Sequence, residues 1–580
     1  MGKSKTKFSL SADFIIGESS SRWGAKSTEM HTEQNWNQIS GLRFYIFYIA
    51  SFVIFLIFMA RLFSLTVVQG ALNRQLADQN RVRLVQLEAE RGEILDRGGK
   101  ILAKSQTIYV LKKEGELTEI SQQQMDELTK QGLASEDFAG KLGQIERKVE
   151  RIYTLGRAAA HVLGYTTSAA AQDIADDEVS SYQAVGRVGV EEGYNDFLTG
   201  KIGKKLVEVD ADEKKVSLLG RQDPQKGADL YLTIDADLQK SAFDALAKVA
   251  NKVGTKRGSV IVSDPNSGEI LALVSYPAFD PQDVAKSVGA DDKPFFNRAV
   301  QGTYPPGSIF KIVTSLAGLE SGRITRETEI EDTGQFEFAG SRFANWFFLE
   351  HGKVDGVIKI QRAIARSNDI FFFKVAQTIG LSPIRDMAKK LGFGQKSGID
   401  LPGEAVGLIG DEVWKKSMYG QDWFVGDTMH MGIGQGFILA TPMQMNVLTS
   451  FMATDKLMRP YLVAKIDAVS STDVNLGSKV LAENPVQVAN FDLVRAGMHD
   501  ACKVGGTGAP FFNAPYDVGC KTGTAEKELG DPHAWFSVFA PFEAPKISVT
   551  VLVEDGGQGS VVAAPVAREI VDWWMANRAK

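Results

Sequence analysis

The chain has 580 residues, 44% of them hydrophobic and 23% charged, which is enough for several globular cores and for two or three domains. A net charge of −6, from 65 basic and 71 acidic residues, gives no support for nucleic-acid binding. The six histidines (His31, His161, His351, His430, His499, His533) are scattered, no Cys-x-x-Cys pair occurs, and neither a Walker loop nor a dinucleotide fingerprint is present, so no metal and no cofactor is expected.

Residues 1–43 are polar and weakly patterned, with six basic and four acidic side chains, and are expected to be a disordered cytoplasmic tail. Residues 44–60 (FYIFYIASFVIFLIFMA) carry no charge and lie between Arg43 and Arg61; continued to residue 68 they supply the roughly 20 residues that cross a bilayer core. A cleaved signal peptide is the competing reading, but its apolar region would run about 7 to 15 residues behind a short basic head. The expected topology is therefore a single-pass anchor with the N-terminus inside and the bulk of the chain outside.

Beyond the anchor, Arg91-Gly92-Glu93-Ile94-Leu95-Asp96-Arg97 followed by Gly98-Gly99-Lys100 and Ile101-Leu102-Ala103 reads as two short strands around a Gly-Gly turn. A β-rich, non-catalytic domain is expected over residues 69–226, with residues 104–150 offering no familiar pattern. From residue 227 onward, two β-branched runs around Pro265-Asn266-Ser267-Gly268 predict a hairpin, and residues 535–555 predict another. The pattern between them is mostly helical, and residues 561–580 read as a C-terminal helix. An α+β domain with an antiparallel sheet flanked by helices is expected over 227–580.

Three motifs in that domain carry chemistry. Ser308 and Lys311 stand three apart in YPPGSIFK, where Pro305-Pro306-Gly307 suits a turn that starts a helix; helical spacing stacks the lysine beside the serine as its base. Lys311 must then act neutral, which burial can arrange by lowering its pKa from about 10.4. Ser367-Asn368-Asp369 reads as a polar corner between two helices, or equally as an ordinary cap for the second. Lys521-Thr522-Gly523-Thr524 precedes a strand-like run and reads otherwise as a polar edge strand. Each motif alone is weak, since Ser4 and Lys7 also fit Ser-x-x-Lys; the ordered set is what counts.

That set resembles the penicillin-recognising serine D,D-peptidase superfamily. The anchor, the absence of a glycosyltransferase domain, and the Arg91 to Ala103 block, with similar blocks at 151–165, 185–203 and 231–246, resemble class B penicillin-binding proteins, monofunctional transpeptidases with a pedestal domain and a β-lactamase-like catalytic domain. Gly434-Gln435-Gly436 before residues 440–445 resembles the segment between the second and third motifs. Asp369, with Phe371-Phe372-Phe373, resembles the elongation branch of the class; a septal, division-type enzyme is the alternative.

The resemblance implies that Ser308 attacks the penultimate D-Ala carbonyl of a stem pentapeptide while Lys311 takes its proton, that Ser367 relays a proton to the leaving amine, and that Asp369 and Lys521 orient that relay. It further implies that Thr522 and Thr524, around Gly523, bind the terminal carboxylate and that the amides of Ser308 and Thr524 form the oxyanion hole. Implied partners are stem peptides, lipid-linked nascent glycan, and a SEDS-type glycosyltransferase met through the membrane helix and pedestal. A catalytically weak scaffold that activates such a glycosyltransferase, and a β-lactam sensor, are the readings from other classes. Cys502 and Cys520 lie in the extracytoplasmic part; a bridge between them would brace the Lys521 strand, and two buried thiols are the alternative.

Overall fold

The structure, a computed structural model, describes residues 41–579 apart from 114–115, 171–172, 174–182, 211–213, 468–473 and 528. The expected tail, with its Ser4 to Lys7 motif, lies outside the described residues over positions 1–40. The chain divides into two units, residues 1–80 and 81–580. In the first, Leu42–Val68 is a continuous 27-residue apolar helix, long enough to span a bilayer and with none of its apolar window buried against the chain.

The second unit begins with the β-rich region expected after the anchor. Ile94–Leu95 and Ile101–Lys113 form around the Gly98-Gly99 turn, in which the Asp96 carboxylate accepts from the amides of Gly98 and Lys100 at 2.8 Å. Residues 104–150 extend this sheet. The long strand Ile101–Lys113 pairs with Gln144–Tyr153 and with Glu116–Ile120, and Ser121 and Gln124 close a capping box on the helix Gln122–Lys130. A separate three-stranded sheet joins Val82–Leu87, Gly203–Val209 and Lys215–Gln222.

The sequence boundary near residue 227 is not a break in packing. Asp229–Leu232 pairs in parallel with Ile94–Leu95 and antiparallel with Val463–Asp467, so one sheet runs through both regions. Beneath it Ile94, Leu102, Val162 and Leu198 share a core with Leu230, Ile261, Leu273, Val300 and Ile466. Each such side chain contributes about 1.5–3 kcal/mol on burial, which makes residues 81–580 one physical body.

The catalytic sheet has the strand order Ile270–Tyr276, Gly258–Ser263, Ile547–Val553, His533–Ala540, Gly519–Ala525, antiparallel throughout. Both predicted hairpins are present. On one face pack Ala236–Val253, started by the Asp235 side chain accepting from the amides of Asp237 and Leu238, and the C-terminal helix Ala563–Asn577. The other face meets Lys311–Glu320 and Pro442–Thr454. Several polar residues on that face pair with one another: the Ser548 hydroxyl lies 2.7 Å from that of Ser450 and 2.8 Å from that of Ser263. Gly519–Ala525 closes the sheet and pairs on one side only.

Candidate active site

The turn carrying Ser308 is held by its neighbours on both sides. Pro305 and Pro306 have no amide hydrogen, so the strap before the serine is anchored elsewhere. Tyr304 and Ala440 exchange backbone hydrogen bonds at 2.9 and 2.8 Å, the Trp535 indole donates to the Pro305 carbonyl at 3.0 Å, and the Gly307 amide donates to the Gly434 carbonyl at 2.9 Å. Gly307 has φ +56°, and a Cβ there would stand 2.9 Å from the Thr524 carbonyl oxygen. A Cβ on Gly523 would stand 2.9 Å from Trp535 Cβ and 3.2 Å from Ile309 Cγ1. Two glycines from separate motifs thus let the serine turn lie against the Lys521 strand, which brings the backbone of Ser308 next to that of Thr524.

A 3₁₀ turn, Gly307–Phe310, runs into the helix Lys311–Glu320, so Lys311 stands one turn beyond Ser308, as the spacing predicts. Its side chain is fully buried. The ammonium donates to Asp369 Oδ1 at 2.6 Å and to the Ser367 carbonyl at 2.7 Å, with Ser367 Oγ at 3.5 Å. Lys521, also fully buried, donates to Ser367 Oγ at 2.7 Å and to the Thr522 carbonyl at 2.9 Å. The Ser367 hydroxyl therefore lies between two lysines. Asp369 serves Lys311 directly rather than the hydroxyl relay; its second oxygen accepts from the Trp346 amide at 3.0 Å.

Ser367-Asn368-Asp369 is the polar corner expected, and the capping reading is true as well. Ser367 leaves the helix Ile360–Arg366 at φ +55°, a conformation costly for a residue other than glycine, and the Asn368 side chain then caps Asp369–Ile379 by accepting from the Phe371 amide at 2.9 Å. Asn368 also donates to Asp332 at 2.8 Å and to Asp355 at 3.2 Å, while Asn345 donates to Asp332 at 2.9 Å and accepts from the Asp369 amide at 3.2 Å. Asp332, Asn345, Trp346 and Asp355 carry no motif of their own in the sequence; only tertiary contact identifies them.

Two buried amines lie close together here, and one of them, Lys311, is paired with Asp369. Burial pulls the Lys311 pKa down, partly offset by Asp369; burial, together with the neighbouring Lys311 charge, holds Lys521 well below the ordinary lysine value. Both shifts favour the neutral amine, the form that proton transfer to a lysine base requires.

On the strand, Thr522 and Thr524 share the face opposite to Lys521 and Gly523. Thr522 Oγ1 donates to Thr507 Oγ1 at 2.9 Å, and Thr524 Oγ1 accepts from the Gly559 amide at 3.4 Å. Cys502 and Cys520 form a disulfide with Cα atoms 5.9 Å apart, so the loop carrying Thr507 is tied to this strand both covalently and by that hydrogen bond. Of the two cysteine readings, the bridge is the one present.

A model of the penicillin binding protein transpeptidase domain matches residues 258–572. The chain belongs to the penicillin-binding protein family. The penicillin-binding protein dimerisation domain matches residues 117–232. A peptidoglycan D,D-transpeptidase MrdA from Acinetobacter baumannii is 31% identical over 571 residues, covering 87% of this chain and 83% of that protein. Among solved structures, penicillin-binding protein 2 of Helicobacter pylori, in complex with MreC, superposes with a TM-score of 0.70 at 28% identity, covering 86% of this chain and 99% of its own. A chain of a peptidoglycan synthase complex that coordinates polymerisation and crosslinking superposes with a TM-score of 0.73 at 26% identity, covering 92% and 99%. All three expected motifs fall inside the matched transpeptidase domain.

Proposed function

We propose that this chain is a membrane-anchored serine D,D-transpeptidase that cross-links peptidoglycan stem peptides during cell elongation and is acylated by β-lactams. The observation that carries the reading is the buried pair of lysines flanking Ser367: Lys521 donates to its hydroxyl at 2.7 Å, and Lys311, one turn beyond Ser308, stands 3.5 Å from that hydroxyl while bonded to the Ser367 carbonyl at 2.7 Å and to Asp369 at 2.6 Å. Similarity to enzymes named D,D-transpeptidase MrdA supports the elongation role.

In the proposed cycle, Ser308 Oγ adds to the penultimate D-Ala carbonyl and its proton passes to a neutral amine of the lysine pair, the base being assigned to Lys311, one turn beyond the serine. The oxyanion is held by the amides of Ser308 and Thr524. Collapse breaks the peptide bond; the departing D-Ala nitrogen takes a proton through Ser367 Oγ, leaving an acyl-ester on Ser308. Thr522 and Thr524, on the strand that also carries Lys521, hold the terminal carboxylate. The amine of a second stem then attacks the ester, its proton returns along the same relay, and the cross-link leaves with Ser308 regenerated.

The helix Leu42–Val68 would place the chain in the cytoplasmic membrane with the catalytic unit outside, a placement supported by the Cys502–Cys520 bridge, since disulfides persist in oxidising compartments. Similarity to proteins solved with MreC and within a peptidoglycan synthase complex supports assembly with such wall-synthesis partners; a SEDS-type glycosyltransferase is the partner we propose. The test is intact mass after incubation with a fluorescent penicillin. One adduct per chain is expected, lost in Ser308→Ala; a folded wild type that takes no adduct would reject the enzyme and favour the scaffold.

A further inference from the structure

The dipeptide Glu554-Asp555, which follows the central strand Ile547–Val553, touches both catalytic elements. The buried Glu554 carboxylate accepts from the Tyr304 hydroxyl at 2.8 Å and from Arg298 Nε at 2.9 Å, with Arg257 Nε at 3.3 Å. Tyr304 stands four residues before Ser308, and its ring packs edge-on against His533 and Trp535 at 5.5 and 6.2 Å between centroids. Asp555 pairs with Arg257 and with Lys527, three residues beyond Thr524, and its amide donates to His533 Nδ1 at 3.1 Å. His533 in turn pairs with Ala525 at the end of the Lys521 strand. Asp555 holds φ +51°, an unfavourable conformation that persists where surrounding contacts over-determine it.

We propose that Glu554 and Asp555 are positioning residues for acylation: Glu554, through Tyr304, sets the turn of Ser308, and Asp555, through Lys527 and His533, sets the Lys521 strand. Together they fix the gap between the nucleophile and the strand that grips the substrate carboxylate. This inference rests on the acyl-serine reading above. A carboxylate already held by Arg298 and Arg257 is satisfied without the Tyr304 hydroxyl; that extra bond is the side-chain tie of the proline strap to Glu554, beside the strap's hydrogen bonds to Ala440, Gly434 and Trp535.

The full chain in detergent is assayed with a fluorescent penicillin, separating the maximal acylation rate from the half-saturating concentration, alongside the thermal midpoint. Tyr304→Phe is expected to lower the maximal rate about tenfold, the scale set by a sub-ångström loss of alignment, with half-saturation within about twofold and an unchanged melt. Asp555→Asn is expected to act likewise. Glu554→Gln, which keeps an acceptor for Tyr304, is expected to retain more activity than Glu554→Ala. Rates within about twofold of wild type for both Tyr304→Phe and Asp555→Asn would overturn the proposal, as would losses that simply track melting temperature across the variants. Tyr304→Phe removes one oxygen and no charge, so it decides the matter even where Glu554→Ala fails to fold. A wild type that takes no label would instead reject the acyl-serine reading, and this inference with it.

Discussion

The hydroxyl of Ser367 has a lysine on either side, and the carboxylate of Asp369 is bonded to one of them, Lys311. Because Asp369 raises the Lys311 pKa against the larger lowering by burial, removing its charge lets that pKa fall further. Acylation needs the neutral base, so the rate drops as pH falls through this value. Asp369→Asn is expected to move the acidic limb of the pH–acylation profile to lower pH while reducing the plateau; a limb that stays put or moves up would assign it to another group. The four relay residues were legible in the sequence because each sits in a short motif with a chemical reason for its spacing. Asn345, Asp332 and Asp355 were not, since they reach the corner from 13 or more residues away and hold Asn368 or the Asp369 backbone through contacts that no local pattern announces.

At the scale of elements, the site is made by close backbone approach. A Cβ on Gly434 (φ +77°) would stand 2.1 Å from the Gly307 carbonyl oxygen, whereas on Gly436 the nearest atom is His430 Cβ at 3.3 Å. Gly434→Ala is accordingly expected to lose penicillin labelling by more than tenfold and Gly436→Ala by much less, consistent with the steep dependence of rate on alignment; equal losses would mean that the close approach to the serine turn is not what matters. The Cys502–Cys520 bridge closes an 18-residue separation, so Cys520→Ser is expected to cost about 3 kcal/mol in denaturant unfolding. Both hairpins, the motif corner and the C-terminal helix could be read from alternation and periodicity. The strand Gln144–Tyr153 could not: its inward positions alternate Ile145, Arg147, Val149, Arg151, Tyr153, and the arginines find their partners on remote groups, Arg151 on Glu191 at 2.7 Å and Arg147 on the Glu88 carbonyl at 2.8 Å. Buried charge with distant partners hides a strand from a hydrophobicity pattern.

Over the whole molecule, the pedestal and catalytic regions were legible as separate stretches of sequence resemblance, but the sheet and core they share were not, because pairing of Asp229–Leu232 with strands 136 residues before and more than 230 after it is a property of the folded chain. A chain beginning at residue 227 would expose the underside of that core. It is expected to aggregate or to bind no penicillin, whereas residues 81–580 are expected to fold and to be acylated at the rate of the full chain; circular dichroism and labelling distinguish the two, and a well-folded, fully active 227–580 fragment would show the shared core to be dispensable. The bridge beside Lys521 has a different kind of consequence, for biogenesis. With two cysteines in all, the chain has one intramolecular pairing available, so its maturation calls for a thiol oxidant and never for an isomerase. A cell short of that oxidant would still deliver the enzyme to its post, but with the substrate strand unbraced, and the strength of its wall would come to depend on the redox state of the envelope.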